Sequence, residues 1–243
     1  MAASKSAPPV ITIDGPSGTG KGTVASMLAD ALQWHILDSG ALYRAVGHLA
    51  ATQKIDPTDE AALAVLVKEA DILFGRGEEG VLILVDEVDV TDLLRSEAGG
   101  AAASVYAAIP AVRTALLDRQ RAARVAPGLV ADGRDMGTVV FPDALLKIFL
   151  VATPKVRAQR RYKQLKEKGF DVNLPRLEKE IAERDFKDTH RKASPLAPAG
   201  DAIVLDTSEK SRNEVLTEVL ELVDADRKST RLNSSHLVIS YAV

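Results

Sequence analysis

VITIDGPSGTGKGT, residues Val10 to Thr23, is the stretch that decides the fold class. Val10 to Asp14 is short, apolar and rich in β-branched residues, which reads as a buried strand. Gly15-Pro16-Ser17-Gly18-Thr19-Gly20-Lys21-Gly22-Thr23 follows as a phosphate-binding loop. Its glycines permit positive φ and let main-chain N–H groups turn inward on phosphate oxygens, with Lys21 reaching the β and γ phosphates. From Lys21 to Leu32, apolar Val24, Ala25, Leu28, Ala31 and Leu32 recur at helical spacing, so a helix N-terminus faces the same anion. Glycine is about 7% of ordinary chains, so a chance match to the four anchor positions arises on the order of once per hundred chains. Strand, glycine loop and helix together open an α/β nucleotide-binding fold. In the strict pattern a Ser or Thr follows the lysine and faces Mg²⁺. Here Gly22 stands there, so either Thr23 or a water takes that role.

Outward from the loop, strands and helices alternate. Asp38-Ser39-Gly40 caps a helix over Leu42 to Ala50, and Thr58 to Leu73 reads as one amphipathic helix. Val81 to Val90 reads as a hairpin, Pro110 to Arg124 as a helix, and Leu129 to Asp132 as a strand closed by Asp-Gly. Leu145 to Val151 is a strand, Lys155 to Lys168 and Leu177 to Phe186 are helices, Ala202 to Asp206 is the last strand and Asn213 to Val223 the last helix. The expected fold is a parallel P-loop NTPase-type sheet flanked by helices. Residues 10–225 form one domain, with its core at about 10–62 and 105–225, an inserted lobe at about 63–104 and a short lid at about 155–195. Residues 1–9 read as a disordered, uncleaved start of a cytoplasmic protein, because they contain no apolar signal core.

Composition narrows the chemistry. The 243 residues carry 31 Lys and Arg against 34 Asp and Glu, a net charge of −3, with 46% hydrophobic and 27% charged residues. That is a globular balance. There is no cysteine, which excludes a disulfide scaffold, a cysteine zinc site and a thiol nucleophile. No apolar run approaches the roughly 18 residues of a membrane span. Aromatics are only 4%, so the basic helix Arg157, Arg160, Arg161, Lys163, Lys166, Lys168 reads as a mostly solvated face, not a nucleic-acid platform. The last stretch, Asp226 to Val243, breaks the helical periodicity and reads as the in-frame translation of a sequencing adapter. Its three basic and one acidic residue carry +2, so the remainder of the chain carries −5.

Two further elements carry chemistry. Asp132, at a strand tip beside a P-loop, suits Mg²⁺ through its water shell. Arg44, Arg95, Arg113, Arg134, Arg184 and Arg191 sit in turn or small-residue settings and read as phosphate clamps, because charge spreads over the oxygens of a transferring phosphoryl group. At helical spacing Arg184, Asp188 and Arg191 face one way.

With these residues in hand, the chain resembles the bacterial cytidylate kinases. The likeness runs from about Val10 to Val223, through ITIDGPSGTGKGT, LDSGALYRA, DVTDLLRSE, AAIPAVR, VADGRDMGTVVFPDA with KIFL, and RDFKDTHRKASPLAPA with DAIVLDTS. The GKGT ending is the form seen in nucleoside monophosphate kinases. The resemblance implies ATP and Mg²⁺ as cofactors, CMP and dCMP as substrates, and a cytoplasmic monomer with neither nucleic-acid nor membrane partner. It implies ATP phosphates on Gly15 to Thr23, with Thr23 and Asp132 toward the metal. It implies Ser39, Arg113 and Asp135 on the base, Ser104, Arg184 and Asp188 on the ribose side, and Arg44, Arg134 and Arg191 on phosphates. The catalytic cations would be Lys21, Arg134, Arg184 and Arg191. Base chemistry agrees: cytosine presents an amino donor with two acceptors, which calls for carboxylate or hydroxyl acceptors and a guanidinium fork. Uracil's O4 acceptor would be repelled by Asp135. The rivals are a P-loop kinase for UMP, AMP or a non-nucleotide acid, and a GTPase-like switch, which would need an Asn-Lys-x-Asp run that this chain lacks.

Overall fold

The computed structural model describes residues 7–77, 80–167 and 169–239. Five strands form one parallel sheet in the order β2-β6-β1-β7-β8, from β1 (Val10–Asp14), β2 (His35–Asp38), β6 (Leu129–Gly133), β7 (Leu146–Val151) and β8 (Ile203–Asp206). All five residues of β1 are buried, as are all five of β6, which is why these strands read as near-continuous apolar runs. Helices α1 (Lys21–Leu32) and α9 (Arg212–Ile239) cover one face. Helices α2 (Ser39–Thr52), α3 (Glu60–Glu69) and α6 (Pro110–Ala122) cover the other. Between them stand a three-stranded antiparallel sheet, β3 (Ile72–Gly77), β4 (Gly80–Val85) and β5 (Val88–Asp89), and helices α4 (Thr91–Leu94) and α5 (Glu97–Tyr106). Helices α7 (Pro154–Glu167) and α8 (Leu174–His190) pack on one another after β7.

Leu63, Ile83 and Leu94 of the middle segment share one buried cluster with Val10 and Leu129 of the main sheet. The middle segment is thus continuous with the core, and the expected breaks near residues 63 and 105 fall inside α3 and α5.

Several elements differ from expectation for identifiable reasons. The helix read over Thr58 to Leu73 ends at Glu69; Ala70 turns extended and Ile72 onward pairs with β4, so cross-strand pairing overrides helical spacing. The edge strand β2 is only four residues long with an exposed first residue, too short a signal to read. Helix α5 escaped notice because Gly99 and Gly100 weaken it. It forms because Ser96 caps it and because Gly47 lets α2 approach: a Cβ at Gly47 would lie 2.9 Å from Ala102 Cβ. Helix α8 starts three residues earlier and ends four residues later than expected.

At the N-terminus residues 1–6 lie outside the described residues, but Pro8 and Pro9 are held: Arg124 Nε donates to Pro8 O at 2.6 Å and Leu129 N to Pro9 O at 3.0 Å. Residues 8 and 9 are therefore ordered, against the expectation for residues 1–9. The last helix does not stop after Val223 but runs on to Ile239, and among the described residues Val223 is the last of its buried Val215, Val219, Val223 stripe. Side chains of residues 227–243 lie outside the described residues. Among the described residues no single helix is long and apolar enough to cross a membrane.

Candidate active site

The parallel sheet ends its strands on one edge, where loops from β1 and β6 open a crevice. The loop after β1 is tight because Gly15 takes φ 143° and passes against β7: a Cβ there would lie 2.2 Å from Leu150 O. Gly20 takes φ 90° and caps α1 without any side-chain hydrogen bond, and no acidic residue stands in the first turn. The first N–H groups of α1 are therefore left for an anion.

Turning N–H groups inward turns carbonyls outward, and those carbonyls need donors. Arg157 on α7, 3% exposed, donates from Nη1 to Ser17 O at 3.0 Å and to Asp185 Oδ1 at 3.0 Å, and from Nη2 to Asp185 Oδ2. Arg160 donates to Thr19 O at 3.3 Å and to Thr207 Oγ1 at 3.0 Å. The reading of this basic helix as a solvated face thus fails for both arginines and holds for Lys163, which pairs at the surface with Glu167. The signal was available: the helix following the strand next to β1 lies against the P-loop, and Arg157 and Arg160 are one turn apart. Arg161 bonds Gln164 Oε1 at 2.7 Å and Arg95 O at 3.3 Å. Arg95 is not a phosphate clamp here. Its Nη2 ties down Val81 O at 2.7 Å.

Lys21 Nζ lies 3.5 Å from Pro16 O and 4.0 Å from Asp132 Oδ1. Burial pushes its ammonium below the usual lysine range, and Arg134 pushes the same way. Asp132 is pushed up, first by burial, against the pull of Lys21. Its Oδ1 is buried without a hydrogen-bond partner. An orphaned carboxylate oxygen beside the lysine suits a hard cation held mostly by water and phosphate oxygens. The residues therefore fit Mg²⁺. Gly22 has a local reason: a Cβ there would come to 3.1 Å from Asp132 Oδ2, so glycine leaves room for the carboxylate where the strict pattern places a hydroxyl. Thr23 is exposed and does not line the crevice.

The loop after β6 is held by a residue that sequence reading passed over. Asp14, the last residue of β1, accepts from Met136 N at 2.9 Å and Gly137 N at 2.8 Å, at the start of a π-helical turn over Met136–Val140. Burial pushes its carboxyl up to about 7. The available signal was a lone carboxylate closing an apolar strand. The end of β6 presents Asp132, and the anchored loop presents Arg134 and Asp135. Arg134 Nε donates to Asp188 Oδ2 at 3.0 Å, and Arg113 Nη2 donates to Asp135 Oδ2.

Asp132, Arg134 and Asp135 line an open cleft. Lys21 and Gly22 of the P-loop also line it. So do Ser39 and Arg44 of α2, Ser104 of α5, and Arg184 and Asp188 of α8 with Arg191 at its C-terminal cap. The expected shared face of Arg184, Asp188 and Arg191 is thus present. Asp38 caps α2, accepting from Ala41 N at 2.9 Å, and holds Arg44 Nη2 at 2.8 Å. Ser104 Oγ bonds Gly100 O at 3.4 Å, while Gly100 makes room for Arg184: a Cβ there would lie 3.2 Å from Arg184 Nη1. Arg191 donates from Nε to Ser194 O, and its Nη2 is buried without a hydrogen-bond partner. Burial first, and Arg113 second, push its guanidinium down. Buried cations crowded by other cations suit the binding of an anion.

Arg113 stands behind the cleft wall, not in it. It bonds Asp135 and Ala107 O at 3.1 Å, with its guanidinium carbon 5.8 Å from the centre of the buried Tyr43 ring. Ser39 Oγ accepts from buried Gln120 Nε2 at 2.8 Å, a partner that sequence reading also missed. Among the described residues no cluster of three metal-ligating side chains occurs.

The sequence profile described as cytidylate kinase matches residues 11–225, nearly the whole of this architecture. The chain belongs to the cytidylate kinase family. It is 58% identical over 221 residues to a cytidylate kinase of Stutzerimonas stutzeri (strain A1501), an alignment covering 90% of this chain and 96% of that one. It is 53% identical to a cytidylate kinase of Shewanella denitrificans, covering 89% and 96%, and 55% identical to one of Pseudomonas aeruginosa, covering 87% and 93%. Membership makes this chain a nucleotide kinase with a parallel P-loop core.

Proposed function

We propose that the protein transfers the terminal phosphoryl group of ATP to CMP and dCMP, acting as a cytoplasmic monomer with Mg²⁺. The observation that carries this reading is one cleft lined both by Lys21 of the P-loop and by Ser39 and Asp135, with Arg113 bonded to Asp135 from behind. In this reading α3 to α5 form the acceptor lobe, and α7 with α8 the lid. The P-loop amides and Lys21 bind the donor polyphosphate. Arg44, Arg134 and Arg191 bind phosphate oxygens, with Arg184 and Asp188 toward the sugar. Asp132 would hold Mg²⁺, which supplies charge neutralisation on the donor phosphates.

The attacking group is a phosphate oxygen of CMP, already ionised near pH 7 because a second phosphate pKa lies near about 6. No general base is needed. Lys21, Arg134, Arg184 and Arg191 stabilise charge on the transferring oxygens. Closure of α8 over the cleft excludes water, which limits ATP hydrolysis. A coupled ADP-release assay across CMP, dCMP, UMP and AMP tests the reading. Turnover with CMP and dCMP, and little with UMP or AMP, supports it. ADP release indifferent to the added nucleotide overturns it.

A further inference from the structure

Helix α6 turns three residues into the core, Val112, Leu116 and Gln120, at the four-residue spacing of a buried stripe. Two are aliphatic. The third is an amide only 2% exposed. Glutamine is rarely buried, and its amide costs free energy there unless it is hydrogen bonded. A leucine at this position would continue the stripe. Instead Nε2 donates to Ser39 Oγ at 2.8 Å, across 81 residues of sequence. Ser39, itself 3% exposed, lines the cleft at the first turn of α2.

Arg113 stands seven residues before Gln120 on the same helix, two turns away and so on nearly the same side. It holds Asp135 as Gln120 holds Ser39. One helix therefore backs two acceptors that face the cleft from different elements, the start of α2 and the loop after β6.

We infer that Gln120 is a positioning residue for base recognition: its amide fixes the Ser39 hydroxyl toward the acceptor nucleotide, so that α6 sets the spacing of Ser39 and Asp135 as a pair. The inference rests on the proposed CMP reading. A serine hydroxyl has three staggered χ1 wells and an O–H that rotates freely. Donation into one lone pair selects the well aimed at the cleft. The second lone pair and the proton remain for the base. Gln120 touches no substrate itself, so its removal loosens recognition and leaves the transfer chemistry to Lys21 and the arginines.

The experiment is a double-mutant cycle on the full chain, with Gln120→Met, Ser39→Ala and the double variant, read as kcat and KM for CMP and for UMP. Gln120→Met, close in volume, is expected to raise KM for CMP about threefold to tenfold, the worth of one ordinary hydrogen bond. Its kcat should stay within about twofold, and the CMP-over-UMP preference should fall by the KM factor. In the Ser39→Ala background the same substitution should change nothing further. Gln120→Leu, which continues the aliphatic stripe and has no donor, should repeat the KM effect if the methionine variant folds poorly. An equal loss in the Ser39→Ala background, or equal losses for CMP and UMP, would overturn the inference and leave Gln120 a packing residue. If Ser39→Ala alone left the CMP-over-UMP preference intact, the inference would fall together with Ser39's part in base reading. Wild-type ADP release that ignored CMP would instead strike at the proposed function itself.

Discussion

Replacing Asp135 by Asn is the sharpest perturbation of base selection, because it keeps the shape of the side chain and changes only its charge and one acceptor. The Asp135 side chain is 3% exposed and its partner Arg113 is 11% exposed, so both act in a largely water-free wall. A hydrogen bond to a charged group contributes about 1.5–3 kcal/mol. If the carboxylate receives the exocyclic amine of cytosine, that range converts to a loss of about 10- to 150-fold in kcat/KM for CMP. An asparagine amide can turn its NH₂ toward O4 of uracil, so UMP gains or holds. The CMP-over-UMP ratio should therefore fall by at least that factor. Arg113 would lose its charged partner, so some stability is lost as well. Assays run well below the variant's Tm separate the two effects. Initial-rate ADP release against each nucleotide measures the ratio. Equal losses for CMP and UMP would refute the assignment of Asp135 to the base.

Three other substitutions test the framework. Lys21→Ala should lower kcat by about 10²-fold or more, the scale of lost transition-state charge stabilisation, while Tm stays level or rises, because burial already disfavours the lysine's charge; activity and stability falling together would contradict this. Gly15→Ala places a Cβ 2.2 Å from Leu150 O at φ 143°, which should cost about 3 kcal/mol or more and lower Tm by roughly 6–12 °C in a chain of this size; an unchanged melting curve would show that the loop is not pinned to β7. Asp14, pushed up to about 7 from 3.8, keeps its proton in the folded chain after the unfolded chain has lost it, so its contribution to stability falls as pH rises from about 4 to 7 and is flat above that. The Tm difference between the wild type and Asp14→Asn should accordingly shrink over that window, and a difference that widens with pH would mean that the two N–H bonds keep the carboxylate ionised.

The parts of this molecule that were legible in the sequence are those written by local chemistry. VITID reads as a strand because β1 is buried on both faces, and GPSGTGKGT reads as a phosphate loop because its glycines take backbone conformations that other residues resist. Arg184, Asp188 and Arg191 read as one face because helical spacing brings them together. What escaped depends on contacts between distant segments. Asp14 matters through the amides of Met136 and Gly137, and Gln120 through Ser39, and neither pairing leaves a spacing pattern along the chain. Arg157 and Arg160 looked like solvated charges because a basic run is usually that; only the neighbouring P-loop, with its outward carbonyls, gives them partners. The start of β3 was hidden inside an apparent helix, since Ile72 and Leu73 suit either period until β4 lies beside them.

The claim on which the rest stands is that the P-loop and the cytosine-reading wall serve one reaction. The direct measurement is to follow the label from ATP carrying a radioactive γ-phosphate, with and without CMP, and to identify the product that holds it. The account predicts label in CDP, one for each ADP formed, and almost none released as inorganic phosphate when CMP is left out. Label appearing as inorganic phosphate at the same rate with or without CMP would contradict it.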